Sequence, residues 1–67
     1  MKWICPKKNV AYYKADGILQ EYHIKKFFFL DMQWVIEIVR DKKSIRIPAT
    51  FGTYQRAKKV AELIEKG

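Results

Sequence analysis

Trp34-Val35-Ile36-Glu37-Ile38-Val39-Arg40-Asp41-Lys42-Lys43-Ser44-Ile45-Arg46-Ile47-Pro48-Ala49 is the stretch that decides the fold. If Asp41-Lys42 form a two-residue turn, Ile38 faces Ile45, Ile36 faces Ile47 and Trp34 faces Ala49. All six point to one side, because side chains alternate along a strand. On the reverse side Glu37 faces Arg46, an opposite-charge cross-strand pair. One register satisfies both patterns, and a slip of one residue destroys both. Glycine is usual in such a turn, and Arg40 would stand opposite Lys43, so a longer loop is the alternative. Pro48 lacks a donor, so the second strand ends there or lies at an edge.

C-terminal to the hairpin, Thr53 is placed to cap a helix over about 54–66. Ala57, Val60, Ala61 and Ile64 recur at helical spacing, with Tyr54 and Leu63 at the margins. Lys58, Lys59, Glu62, Glu65 and Lys66 fall on the other side, and Gly67 ends the helix. N-terminal to the hairpin, Phe27-Phe28-Phe29-Leu30 pairs with its first strand through Asp31-Met32. Phe29 then lies beside Trp34 and Phe27 beside Ile36, leaving Lys26, Phe28 and Leu30 on the outer face. Lys26, Glu37 and Arg46 form one row across the sheet. Further back, Asp16-Gly17 favours a hairpin joining Val10–Lys14 to Leu19–His23. A helical turn through Ile18, Leu19, Tyr22 and Lys26 is the other reading.

The predicted architecture is therefore α+β: one domain over 1–67, an antiparallel sheet of three to four strands packed on one C-terminal helix. Candidate strands are about 10–14, 18–23, 26–30, 34–40 and 43–48. With 67 residues the chain is near the lower limit for folding alone and buries only about 60% of its unfolded surface. Its apolar content of 49%, including ten Trp, Tyr and Phe residues, supplies a dense core.

Fourteen Lys and Arg against seven Asp and Glu give a net charge of +7. Such a field favours polyanions. Cys5 is the sole cysteine and His23 the sole histidine, so neither a disulfide within the chain nor a Cys/His metal site is expected. The lone thiol suits a reducing compartment. The start of the chain has no signal-peptide pattern, and no apolar run approaches a membrane span, so the expected location is cytoplasmic with no membrane partner. His23 and Ser44 flank different turns without a third partner, and no glycine-rich phosphate loop is present. No catalytic residue, metal or cofactor is assigned, and the chain is not expected to be an enzyme.

The outer sheet face is expected to carry Lys26, Phe28, Leu30, Val35, Glu37, Val39, Ser44 and Arg46. A one-helix layer covers only one side of a sheet, so this face should meet water despite its apolar members. Two functional readings follow. Basic and aromatic residues can hold phosphates and stack bases, which makes Lys26, Phe28, Arg40, Lys42, Lys43 and Arg46 candidate nucleic-acid contacts. Alternatively Phe28, Leu30, Val35 and Val39 bury against a protein, either a second copy in a homodimer or an acidic partner that the domain inhibits. A third, purely structural possibility is that the N-terminal hairpin folds over this face.

Trp34–Glu62 resembles the small DNA-binding module that precedes the catalytic domain in many tyrosine-type phage and transposon integrases. The resemblance rests on Trp34-Val35-Ile36-Glu37-Ile38, the charged turn Asp41-Lys42-Lys43, Ser44-Ile45-Arg46-Ile47, and Phe51-Gly52-Thr53 followed by Ala57. It departs from the pattern in lacking glycine in the turn. It implies a three-stranded sheet on a C-terminal helix, with the sheet face in the major groove and Lys26, Arg46 and Glu37 near DNA. It also favours DNA over RNA and a role as an accessory protein of a mobile element or virus.

Overall fold

The computed structural model describes residues 1–5, 12–27 and 33–67. Five antiparallel strands form one sheet in sequential order: β1 (Trp3–Ile4), β2 (Tyr12–Asp16), β3 (Glu21–Phe27), β4 (Gln33–Arg40) and β5 (Lys43–Arg46). One helix follows, α1 (Tyr54–Lys66), packed on β3 and β4. The α+β class and the C-terminal helix match the sequence reading. The strand count exceeds it because Trp3–Ile4 adds a short edge strand beside Ala15 and Lys14.

The β4–β5 hairpin forms as its sequence dictates. Arg40 stands opposite Lys43, Ile38 opposite Ile45, and Glu37 opposite Arg46. Asp41 and Lys42 have φ of 51° and 64°, the two positive values that a type I′ hairpin turn requires. Ile47 N–H donates to the Ile36 carbonyl at 3.0 Å, which extends the register one step past β5. There the expectation fails. Pro48 breaks the ladder, and Ala49 N–H turns back to the Ile47 carbonyl at 2.8 Å. Phe51, not Ala49, then pairs with Trp34 through two backbone hydrogen bonds of 2.7 and 2.8 Å.

The β3–β4 pairing differs by three residues from the expected one. Ile24 stands opposite Ile36, Tyr22 opposite Ile38, and Lys26 opposite Trp34. The apolar run at Phe27 suggested a later register. The alternation of Tyr22 and Ile24 with Glu21, His23 and Lys25 is the better amphipathic strand, and it wins. An odd shift exchanges the two faces. Lys26 is therefore on the helix side, its ammonium 5.8 Å from the Trp34 ring centroid, and Lys25 takes its place outside. Phe28, Phe29, Leu30 and the Asp31-Met32 turn lie outside the described residues.

The first hairpin exists but turns later than expected. Asp16 pairs with Glu21, and the intervening loop closes through Gly17 N–H to the Gln20 carbonyl at 2.8 Å. Ile18 and Leu19, expected in a strand, sit in that loop at 90% and 69% exposure.

Tyr22, Ile24 and Ile36 from the sheet meet Ala57 and Ala61 from the helix, all at 0% exposure. The alanines let α1 lie close to the sheet. Thr53 caps the helix as expected, its hydroxyl accepting from Arg56 N–H at 3.3 Å, and Gly67 N–H closes the other end on the Leu63 carbonyl at 2.9 Å. An aromatic cluster fills the space beside the helix N-terminus. Tyr13 and Tyr54 stack at 3.8 Å between centroids, with Trp3 and Trp34 against Tyr54 at 6.4 and 5.7 Å.

Two carboxylates expected to face solvent instead tie the helix down. Glu62 accepts from Trp3 Nε1–H at 3.2 Å. Glu65 accepts from Ile18 N–H at 2.8 Å and from the Tyr22 hydroxyl at 2.9 Å. Gly17 lies under this latch. A Cβ there would stand 2.3 Å from Glu65 Oε1 and 2.9 Å from the Gln20 carbonyl oxygen. Gly17→Ala is expected to cost about 1–3 kcal/mol by this overlap, read as a lower urea midpoint at unchanged slope.

Candidate nucleic-acid interface

Along the outer face, Tyr12, Lys14, Glu21, His23, Lys25, Val35, Glu37, Val39, Ser44 and Arg46 occupy alternate strand positions. Lys14 lies 3.5 Å from Glu21, and Lys25 lies 3.3 Å from Glu37. His23 Nδ1 hydrogen-bonds the Tyr12 hydroxyl, the two rings stack, and Nε2 stands 3.6 Å from Glu21. Glu37 lies opposite His23, and Ser44 is among the groups that lower its pKa. The structure thus brings His23, Glu37 and Ser44 into one neighbourhood that their sequence positions did not suggest. His23 is nonetheless turned toward Tyr12.

These partners hold the carboxyls ionised. The Lys14 ammonium lowers the Glu21 pKa from its ordinary 4.5. Burial pushes Glu37 up, but the Lys25 hydrogen bond and charge outweigh it, and the net shift is downward. The Ile18 N–H lowers Glu65 in the same way. A group with a depressed folded pKa contributes stability that is complete above its unfolded pKa and is lost as pH falls through the folded value. Stability is therefore expected to be flat above about pH 5 and to decline below the ordinary glutamate pKa near 4.5. Urea titrations across pH 3 to 7 check this, and Glu65→Gln should flatten the decline.

The outer face is therefore charge-paired rather than basic among the described residues. Its apolar members are also less available than the sequence reading requires. Val35 is 2% exposed and Val39 is half-buried, while Phe28 and Leu30 lie outside the described residues. The expected row Lys26–Glu37–Arg46 is replaced by Lys14–His23–Glu37–Arg46.

Positive charge gathers instead on the β4–β5 hairpin. Arg40, Lys42, Lys43 and Arg46 are all exposed. The carboxylate at the tip is Asp41, 4.0 Å from Arg40. Arg56 is likewise exposed, on α1. Four of the six residues expected to contact nucleic acid thus stand together, whereas Lys26 is directed to the other side beside Trp34. Lys14 and Lys25 were missed as the paired cations of the outer face. A three-residue register error hid Lys25.

β5 projects beyond the helix. α1 packs on β3 and β4 but not on β5. Ile45, expected in the core, is accordingly 65% exposed, and every residue of β5 is open. The result is an open sheet edge at β5, ending in a cationic turn just past the last β3–β4 pair, Glu21 with Val39.

No protein-family model, no curated protein and no solved structure matches this chain. Among the described residues no helix is long and apolar enough to cross a membrane, and no group of three His, Cys, Asp or Glu is placed to hold a metal ion.

Proposed function

We propose that this domain binds nucleic acid, duplex DNA in particular, through the β4–β5 ribbon and not through the broad outer face of the sheet. It acts as a binding module rather than a catalyst. The observation that carries this reading is Lys42. It occupies the left-handed region at φ 64°, where a side chain costs energy that glycine would not. The tip thus gives up local stability and gains a cation at its apex, flanked by Arg40 and Lys43. A residue that breaks a local rule in this way is where function is best sought.

The ribbon also suits the ligand. The turn and the β5 edge stand at the margin of the sheet, where their exposed cations can meet the phosphates of a duplex. Single strands are generally held by aromatic stacking platforms. The described aromatics Trp3, Tyr12, Tyr13, Tyr22, Trp34, Phe51 and Tyr54 are all buried or half-buried, and none lies on the ribbon tip.

Lys42→Gly separates the two roles of the tip. It is expected to stabilise the fold by roughly 0.5–1 kcal/mol while weakening binding to a duplex oligonucleotide several-fold. Thermal melts and fluorescence anisotropy on the same variant measure both. Affinity that is unchanged, or insensitive to salt, would overturn the reading.

A further inference from the structure

We infer that the solvent ridge of α1 is a second duplex-binding surface, so that one copy of the domain bridges two duplex segments. The ridge is Arg56, Lys59, Leu63 and Lys66, whose spacing of three, four and three residues sets them along one side of the helix. That side lies opposite Ala57 and Ala61, which are buried against the sheet, and each of its residues is exposed.

A helix of mixed charge commonly neutralises its solvent side with glutamate–lysine pairs four residues apart. The sequence offers Glu62 with Lys66, yet both carboxylates of α1 are drawn to the body of the domain. Glu62 accepts from Trp3 Nε1–H at 3.2 Å, and Glu65 accepts from Ile18 N–H and the Tyr22 hydroxyl. The first turn carries no carboxylate. Among the described residues Arg56, Lys59 and Lys66 therefore meet water without an ion pair. The ridge runs about 15 Å from Arg56 to Lys66 at 1.5 Å per residue. Phosphates recur about every 3.4 Å along a duplex strand, so each cation can meet a phosphate of its own. One leucine is too little apolar surface to seat the ridge in a bilayer. The Arg40–Lys43 turn lies at the margin of the sheet, whereas the ridge faces away from the sheet on the helix layer. A duplex, with a persistence length of about 50 nm, is too stiff to wrap a body of 30 × 26 × 22 Å and lie on both.

The ligand class rests on the duplex reading, whereas the site does not. The test uses the whole chain with two short duplexes, one carrying a donor fluorophore and the other an acceptor. The unaltered domain is expected to bring them together and give energy transfer. Arg56→Gln with Lys59→Gln and Lys66→Gln should abolish the transfer while one duplex still binds. Glutamine is a good helix former, and unchanged circular dichroism confirms that α1 persists. Arg40→Gln with Lys42→Gln and Lys43→Gln should also abolish the transfer. That turn variant should keep weak duplex binding with a salt slope of about 2.7, at 0.9 for each ridge cation. Adding the three helix substitutions should remove this residue of binding. The inference is overturned if the helix variant bridges as well as the unaltered domain, which would mean a dimer holding one duplex per copy. It is also overturned if the turn variant binds no duplex, or binds only vesicles of anionic phospholipid. Binding without bridging by the unaltered domain overturns this inference alone, whereas no binding of either duplex overturns the duplex reading with it.

Discussion

Replacing Arg40, Lys42 and Lys43 together with glutamine is expected to lower affinity for a duplex oligonucleotide by a factor on the order of 10²–10³ at about 0.1 M salt. The magnitude follows from counterion release. Each neutralised phosphate contributes about 0.9 to the slope of log K against log salt, close to a factor of eight at that concentration. Removing all three cations should also flatten the slope by nearly 3. The three side chains are exposed at the ribbon tip, so the fold should tolerate their neutralisation. Lys14→Gln with Lys25→Gln removes as much charge as two of them, but from positions already paired with Glu21 and Glu37. That pair of changes should have a much smaller effect on binding. Equal losses from both sets would mean that the ligand reads net charge alone, and the ribbon would lose its special status.

Ile36→Ala is expected to unfold a large fraction of the molecules. Ile36 is 0% exposed and stands between Ile24 and the helix alanines Ala57 and Ala61. Emptying such a site costs about 2–5 kcal/mol, because the lost burial is compounded by the cavity left behind. A domain of this size has a total stability of roughly 3–10 kcal/mol. Ile45→Ala deletes the same atoms from a residue in the same sequence pattern, yet its cost should stay within about 0.5 kcal/mol, as at other surface sites. Circular dichroism melts of the two variants side by side measure the contrast. Similar melting temperatures would show that the helix covers β5 in solution.

That contrast marks how far the residues could be read. Hairpin β4–β5 was legible in its cross-strand partners as far as Ile36 and Ile47, because apolar alternation and the Glu37–Arg46 pair agreed on one register, whereas the Trp34–Ala49 pair failed beyond Pro48. The helix was legible in its cap and in its buried alanines. What failed was everything requiring knowledge of two distant segments at once. The β3–β4 register was misjudged because four consecutive apolar residues from Phe27 outweighed the quieter alternation of Tyr22 and Ile24. Ile45 was placed in the core because pattern reports which side a residue faces, not how far a covering helix extends. Glu62 and Glu65 were assigned to solvent on helical periodicity, although their partners Trp3, Ile18 and Tyr22 are more than forty positions away. For the candidate site, the cations of the turn were found, whereas the neutralising partners on the outer face emerged only with the correct strand pairing.

The link from Trp3 to Glu62 spans 59 positions, and the link from Ile18 to Glu65 spans 47. Chain closures of that length carry the largest entropic toll and reward it last. The two tight hairpins can assemble within microseconds, but the docking of α1 has to await them. Loss of Glu65 should thus accelerate unfolding far more than it slows refolding, leaving the early ribbons intact in the rate-limiting ensemble.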